Sequence, residues 1–196
     1  MKYLYTQRAA EQIRRAQTIL AALRLPERWQ RIGVEVQPVG SMRMELLAKH
    51  RDLDFHLYSD VVDVAADFAV MGELATLPGI RRVQFGNALD TEEACVEWHA
   101  GYEDERGELW QLDLIHIRRG SRYDSYFERV ADRIAAVLTD EQRETILRLK
   151  FETPDAEQIA GIAYYRAVIE GGVRTLDELS AWRQTHPATG IVEWMP

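Results

Sequence analysis

Asp52 and Asp54 stand two residues apart in Asp52-Leu53-Asp54-Phe55-His56-Leu57-Tyr58, a run whose alternation has the period of a β-strand. Side chains on a strand alternate faces, so Asp52, Asp54 and His56 project one way while Leu53, Phe55 and Leu57 project the other. Two carboxylates about 7 Å apart on one face repel each other unless a cation lies between them. Hard oxygen donors of this kind suit Mg²⁺, or Mn²⁺ in its place, with the remaining ligands drawn from water and a substrate's phosphates. Asp113 lies inside Leu112-Asp113-Leu114-Ile115, where a carboxylate among strand-core residues needs a partner: a shared metal, or a substrate hydroxyl whose proton it takes. Separated from Asp52 by ten intervening residues, Gly40-Ser41 ends a short run of strand-forming residues. Glycine lets backbone N–H groups approach a phosphate and serine adds a hydroxyl donor, so this turn is a candidate cradle for terminal phosphate oxygens. Arg43 and Lys49, close by in the chain, are candidates for the added positive charge.

Elements of two kinds are needed to position these groups. Ala9, Ile13, Ala16, Leu20 and Leu23 recur at helical spacing, which predicts an amphipathic helix between Thr6 and Leu23. Pro26 punctuates the chain, and a short helical turn follows through Glu27 to Gln30. Strands are predicted at Val34-Glu35-Val36, Asp52 to Tyr58, Ile80 to Phe85, Ala94 to Tyr102 and Leu109 to Ile117, with a helix from Val62 to Leu77 between the second and third. The polar connection Glu103 to Gly107 joins the last two strands as an antiparallel hairpin with a solvated tip.

From Ser121 onward the period is helical. Ser121 is a candidate N-cap, Thr139 and Thr175 have capping-box spacing, and Thr153-Pro154 offers an N-cap followed by proline. Gly171-Gly172 closes the third of about four helices, and Pro187 lies beyond the last. The expected fold is α+β: a mixed core over residues 1–120, then a helical subdomain over 121–196.

Composition narrows the function. A formal net charge of −8 argues against a partner that demands many neutralised phosphates, such as a long nucleic acid. A single cysteine, Cys95, excludes an intramolecular disulfide and a four-cysteine zinc site. The chain has no apolar run of bilayer length and no signal-like N-terminus, which reads as soluble and cytoplasmic.

Val39-Gly40-Ser41, ten residues, Asp52-Leu53-Asp54-Phe55, and then Leu112-Asp113-Leu114 on a hairpin strand resemble the signature of the polymerase-β-type nucleotidyltransferase superfamily. The resemblance spans residues 30 to 118 and implies a mixed twisted sheet flanked by helices. It implies that Asp52 and Asp54 hold two Mg²⁺ ions and that Gly40 and Ser41 hold the β- and γ-phosphates of a nucleoside triphosphate, with ATP the first candidate. It also implies that Asp113 completes one metal site and assists deprotonation of the acceptor hydroxyl. Two departures stand out: Met42 to Leu47 is apolar and reads as helical where relatives carry a glycine-rich, polar connection, and Arg51 precedes the aspartate pair.

Other readings attach to the same residues. His56 is a substrate contact or a hydrogen-bonded strand residue, Tyr164 and Tyr165 are core or base-stacking, and Arg148 and Lys150 complement a helix dipole or face a triphosphate. An aspartyl-phosphate phosphatase, a metal-dependent sugar transferase and a non-catalytic nucleotide- or partner-binding module are rival functions. The first two account less economically for Gly40-Ser41 together with Asp113. Small size and acidity favour a small molecule or a protein side chain as acceptor over a long nucleic acid, and a short RNA end entering a locally basic cleft stays open.

Overall fold

The computed structural model describes residues 3–188 and 190–196. Strands β1 (Glu35–Pro38), β2 (Asp52–Ser59), β3 (Ile80–Ala88), β4 (Cys95–Glu103) and β5 (Leu109–Arg118) form one sheet in the order β1-β2-β5-β4-β3. The β2–β5 pair is parallel and the others are antiparallel, so the sheet is mixed. Registered rows such as Leu53-Leu112-Ala100-Val83 and Phe55-Leu114-Trp98-Phe85 make one face apolar. Helices α1 (Leu4–Leu23), α2 (Leu25–Gln30) and α4 (Val64–Ala75) cover that face with Ile19, Leu23, Trp29, Met71 and Leu74. Each such side chain removed from water contributes roughly 1.5–3 kcal/mol.

The other face of the sheet is polar near β2 and β5 and meets the C-terminal helices α5 (Tyr126–Val137), α6 (Asp140–Glu152) and α7 (Gly161–Ile169), with α8 (Leu176–Thr185) packed on α7. These helices build a second core around Ile134, Ile146, Leu149, Tyr164 and Leu179. That core also takes in Ala9, Met44, Leu46 and Ala48 from earlier in the chain. Glu144 of α6 accepts from the Tyr5 and Thr6 backbone N–H groups at 2.8 and 2.9 Å, which fastens α6 to the start of α1. No helix among the described residues is long and apolar enough to cross a membrane.

Three local expectations are corrected. The helix α3 (Gly40–Arg43) ends before Met44–Leu47, and Glu45 has φ +58°. Leu46 enters the second core and Leu47 the first, as the extended backbone beyond Glu45 sends successive side chains to opposite sides. Ser121 caps nothing: α5 begins at Tyr126, because Asp124 accepts from Gly120 N–H at 2.9 Å and the Ser125 hydroxyl at 3.0 Å and holds the chain in turns. Thr153 caps the C-terminus of α6 instead of opening a helix. Its hydroxyl donates to Leu149 C=O at 2.7 Å and accepts from Tyr164 at 2.8 Å. The capping boxes at Thr139 and Thr175 both form.

The hairpin tip is exposed from Glu105 to Gly107, as expected, but is anchored at Asp104. Asp104 accepts from Arg106 N–H at 2.9 Å, Glu108 N–H at 3.0 Å and Trp110 Nε1 at 3.0 Å, and pairs with Arg15 of α1. Burial alone would raise the pKa of Asp104, but the Trp110, Glu108, Arg15 and Arg106 donors outweigh it and hold the carboxyl well below the usual range. A depressed pKa contributes stability that is full above the ordinary carboxylate value and is lost as pH falls below it. Asp104→Ala is therefore expected to cost about 2–3 kcal/mol at pH 7. In urea unfolding the gap from the unmodified protein should narrow at pH 3; an equal gap at both pH values contradicts the assignment.

A second buried network joins α4 to the sheet. His116 Nδ1 lies 2.8 Å from Asp67 Oδ2, and its Nε2 lies 2.8 Å from the Ser59 hydroxyl. The order serine, histidine, aspartate is that of a hydrolytic triad. Here the imidazole is sealed beneath Trp29 and the serine proton is directed to Val61 C=O at 2.8 Å, so the network serves packing.

Candidate active site

Parallel pairing of β2 with β5 sets Asp54 directly beside Asp113 and Asp52 beside Gln111. Antiparallel pairing of β1 with β2, continued by Val39 N–H donating to Asp54 C=O at 2.9 Å, brings Gly40-Ser41 against the same place. The fit is tight: a Cβ on Gly40 would lie 2.2 Å from Asp54 Oδ2. Gly40 also has φ +62°, a conformation that glycine adopts without steric cost.

A cleft of about 470 Å³ lies over these residues. Its floor is Asp52, Asp54 and Asp113, one wall is Val39 to Ser41, and the facing wall comes from α5, α6 and α7 with Phe127, Val130, Lys150, Ile162 and Tyr165. His99 Nδ1 lies 2.6 Å from Asp113 Oδ1, and Gln111 Nε2 donates to the same oxygen at 2.8 Å. Among the described residues no hydrogen bond reaches Asp113 Oδ2.

The electrostatics of the floor follow from this crowding. Asp52 is exposed at the edge of the cleft and Asp54 is half-buried in it. Burial, then Asp113 and Asp52, push Asp54 up to about 7. Burial and Asp113 likewise raise Asp52. Lys150, buried in the cleft wall, is lowered to about 8 by burial, while Asp54 and Asp52 work to keep it charged. Its Nζ donates to Leu46 C=O at 2.7 Å and lies 3.4 Å from the Tyr165 hydroxyl.

Such a floor fits a divalent cation. The donors are all carboxylate oxygens, and a cation between them would relieve the cost of ionising Asp54. A separate group, Glu93, Cys95 and Glu97 at the start of β4, has ligand atoms within 4.8 Å of one another.

The structure does not bring every candidate to the cleft. Arg43 is held away by Asp132 at 2.7 and 2.9 Å, and Lys49 by Asp155 at 2.5 Å and Thr153 C=O. Neither lines the cleft, because each finds an acidic partner on the helical side; the cation that does line it is Lys150. Arg148 turns to Arg174 C=O. His56 lines the cleft as well, with Nδ1 3.3 Å from Glu128 and from the Tyr58 hydroxyl, and Glu128 accepts from Tyr58 at 2.8 Å. This group docks α5 onto β2. Tyr164 and Tyr165 are buried, as expected of core residues, and both also border the cleft.

His99 and Gln111 went unmarked in the sequence reading, although a signal for them exists. Counted from the hairpin turn between Asp104 and Glu108, His99 lies as far before it as Asp113 lies after it, so antiparallel pairing joins them.

No protein-family model matches the chain, and no curated protein matches it in sequence. Among solved structures it is similar to a poly(A) polymerase complex of GLD-2 with GLD-3, with a TM-score of 0.60 and 12% identity over 84% of this chain and 55% of that one. It is also similar to the Cid1 poly(U) polymerase, with a TM-score of 0.56 and 16% identity over 81% and 50%. For a cytoplasmic RNA terminal U-transferase the values are 0.54 and 16% over 84% and 53%. The chain spans about half the length of these proteins. It has the fold of the polymerase-β-type nucleotidyltransferases: a mixed five-stranded sheet with flanking helices and further helices at the C-terminus.

Proposed function

We propose that the chain is a metal-dependent nucleotidyltransferase that moves a nucleoside monophosphate from a nucleoside triphosphate, ATP in the first instance, to an acceptor hydroxyl. The observation that carries this reading is the registered pair Asp54–Asp113 with Asp52 on one strand face, closed over by Gly40-Ser41. Asp52, Asp54 and Asp113 would hold Mg²⁺ or Mn²⁺, which supplies neutralisation of the triphosphate and of charge on the attacking and leaving oxygens. Gly40 and Ser41 offer backbone and hydroxyl donors to terminal phosphate oxygens, and Lys150 adds positive charge at the cleft wall.

In the reaction the acceptor oxygen attacks the α-phosphorus, the new O–P bond forms, and the bond to the bridging α–β oxygen breaks to release pyrophosphate. Asp113 takes the acceptor's proton. His99 and Gln111, bound to its other oxygen, keep its carboxylate oriented. The apolar wall of Phe127, Val130 and Ile162 limits water near the α-phosphate.

The test is transfer of label from each α-labelled nucleoside triphosphate with Mg²⁺ or Mn²⁺ into fractions of a cell lysate. Labelling is expected with the unmodified protein and is expected to vanish with Asp52→Asn/Asp54→Asn. Full labelling by the double variant defeats the reading. Nucleotide-dependent thermal stabilisation without transfer points instead to a binding module.

A further inference from the structure

A second groove, of about 290 Å³, opens on the far side of Asp52 from Gly40-Ser41. Arg51, Arg81, Arg82 and Gln111 line it, and Asp52 is the one carboxylate among its lining residues. The registered row Asp52-Gln111-Gly101-Arg82 explains its shape. These four positions share the sheet face that carries the aspartates, and Gly101 places no side chain between Gln111 and Arg82. The groove is therefore a trough crossing β5 and β4 from the catalytic carboxylates to β3.

Its charges are incompletely matched. Arg51 pairs with Glu108, and Arg81 with Glu103 at 2.9 Å. Arg82 donates to Gln111 Oε1 at 3.0 Å, and among the described residues no ion pair reaches its guanidinium. Arg51 Nε is buried with no hydrogen-bond partner among the described residues. Arginines on an edge strand often serve only to discourage strand pairing. That role does not account for an orphaned buried Nε, nor for the hydrogen-bonded line from Arg82 through Gln111 to Asp113, where Gln111 Nε2 donates at 2.8 Å. Of the three guanidinium groups in the trough, that of Arg82 is the one with no ion pair among the described residues.

We propose that this groove binds a phosphate group of the acceptor, a nucleotide or the end of a short single strand, and so sets the acceptor hydroxyl beside Asp113. The guanidinium fork suits phosphate oxygens. In the sheet order the Gly40-Ser41 turn follows β1 on one side of β2 and the trough runs over β5 and β4 on the other, which separates an acceptor phosphate from the donor triphosphate. The assignment to the acceptor rests on the transferase reading; the groove's preference for phosphate does not. A trough lined by three arginines takes one or two phosphates, in keeping with a chain of net charge −8.

The experiment measures fluorescence anisotropy of a fluorescein-labelled hexaadenylate, with unlabelled 5′-AMP and adenosine as competitors, and in parallel the thermal shift given by ATP with Mg²⁺. The proteins are the unmodified chain, Arg81→Gln/Arg82→Gln and Asp52→Asn/Asp54→Asn. Both arginines are exposed, so the first variant is expected to melt as the unmodified chain does. It should bind hexaadenylate at least tenfold more weakly, with a shallower salt dependence, while the ATP·Mg²⁺ shift persists. The unmodified protein should prefer 5′-AMP to adenosine at least tenfold. Competition by 5′-AMP at hexaadenylate-like affinity identifies a mononucleotide acceptor, and much tighter binding of hexaadenylate identifies a strand end. Failure of the unmodified protein to bind either phosphate probe overturns the proposal, as does equal binding by the arginine variant. Parallel loss of the ATP·Mg²⁺ shift in that variant makes the groove part of the donor site and also overturns it. If the unmodified protein shows no ATP·Mg²⁺ shift, or if the shift survives in the aspartate variant, the transferase reading fails. Arginine-dependent binding of the phosphate probes then still establishes the groove.

Discussion

Asp54→Asn is expected to lower nucleotidyl transfer by a factor of about 10³ or more and, at pH 8 without metal, to make the protein more stable. Removing one carboxylate from a metal centre of this kind costs about 4 kcal/mol of transition-state stabilisation, which is that factor in rate. The gain in stability follows from the sign of the pKa shift. Burial and the neighbouring Asp113 and Asp52 raise Asp54 to about 7, so ionising it costs more in the folded chain than in the unfolded one. That cost is absent below the ordinary carboxylate value, grows as pH rises toward 7 and is complete above it. Asparagine has nothing to ionise. At pH 8 the variant should gain about 1–2 kcal/mol, the shift being discounted for solvent within the cleft. Its Tm should rise by roughly 3–6 °C, with no gain at pH 4. Adding Mg²⁺ should stabilise the unmodified protein at pH 8 and leave the variant nearly unmoved. A variant with full transfer and an unchanged melting curve would mark Asp54 as an ordinary surface carboxylate.

Gly40→Ala is the second large effect, and Gly33→Ala is its control. Both glycines have left-handed φ, +62° and +77°, so each alanine brings a backbone cost of about 1 kcal/mol. Nothing lies within 4 Å of a Cβ at Gly33, whereas at Gly40 it would sit 2.2 Å from Asp54 Oδ2 and 3.0 Å from its Cγ. Either the turn or the carboxylate must shift, at a further cost of about 1–3 kcal/mol. Gly40→Ala should therefore lose about 2–4 kcal/mol in chemical denaturation and 10²-fold or more in kcat, because a misplaced metal ligand impairs catalysis even in a folded enzyme. Gly33→Ala should lose only the backbone cost and keep its kcat. Equal losses of activity in the two variants would show that the close approach to Asp54 plays no part.

Much of the site is legible because its geometry is local. Alternation along Asp52 to Tyr58 puts Asp52, Asp54 and His56 on one face, and β2 realises it. The hairpin between β4 and β5 is equally local, and with its turn placed it pairs His99 with Asp113. Helix boundaries are legible where a side chain closes its own turn, as Thr139 and Thr175 do, and fail where a distant group competes. Thr153 is taken up by Leu149 and Tyr164, and the Ser125 N–H donates to the Tyr58 hydroxyl at 3.1 Å.

By itself the sequence determined that a carboxylate pair shares a strand face behind a glycine-serine turn and that helices follow a mixed sheet, because backbone periodicity and turn chemistry act over a few residues. Tertiary structure alone decided that Asp113 meets Asp54, since their parallel pairing is closed across α4, β3 and β4. It also decided which cations serve which place. Arg43 and Lys49, near the aspartates in the chain, are drawn off by Asp132 and Asp155, while Lys150 arrives on α6 and Arg82 lies across the sheet on β3. Proximity along the chain does not set proximity of charges in space. Long flexible side chains go to whichever partner the packing of helices on the sheet brings within reach.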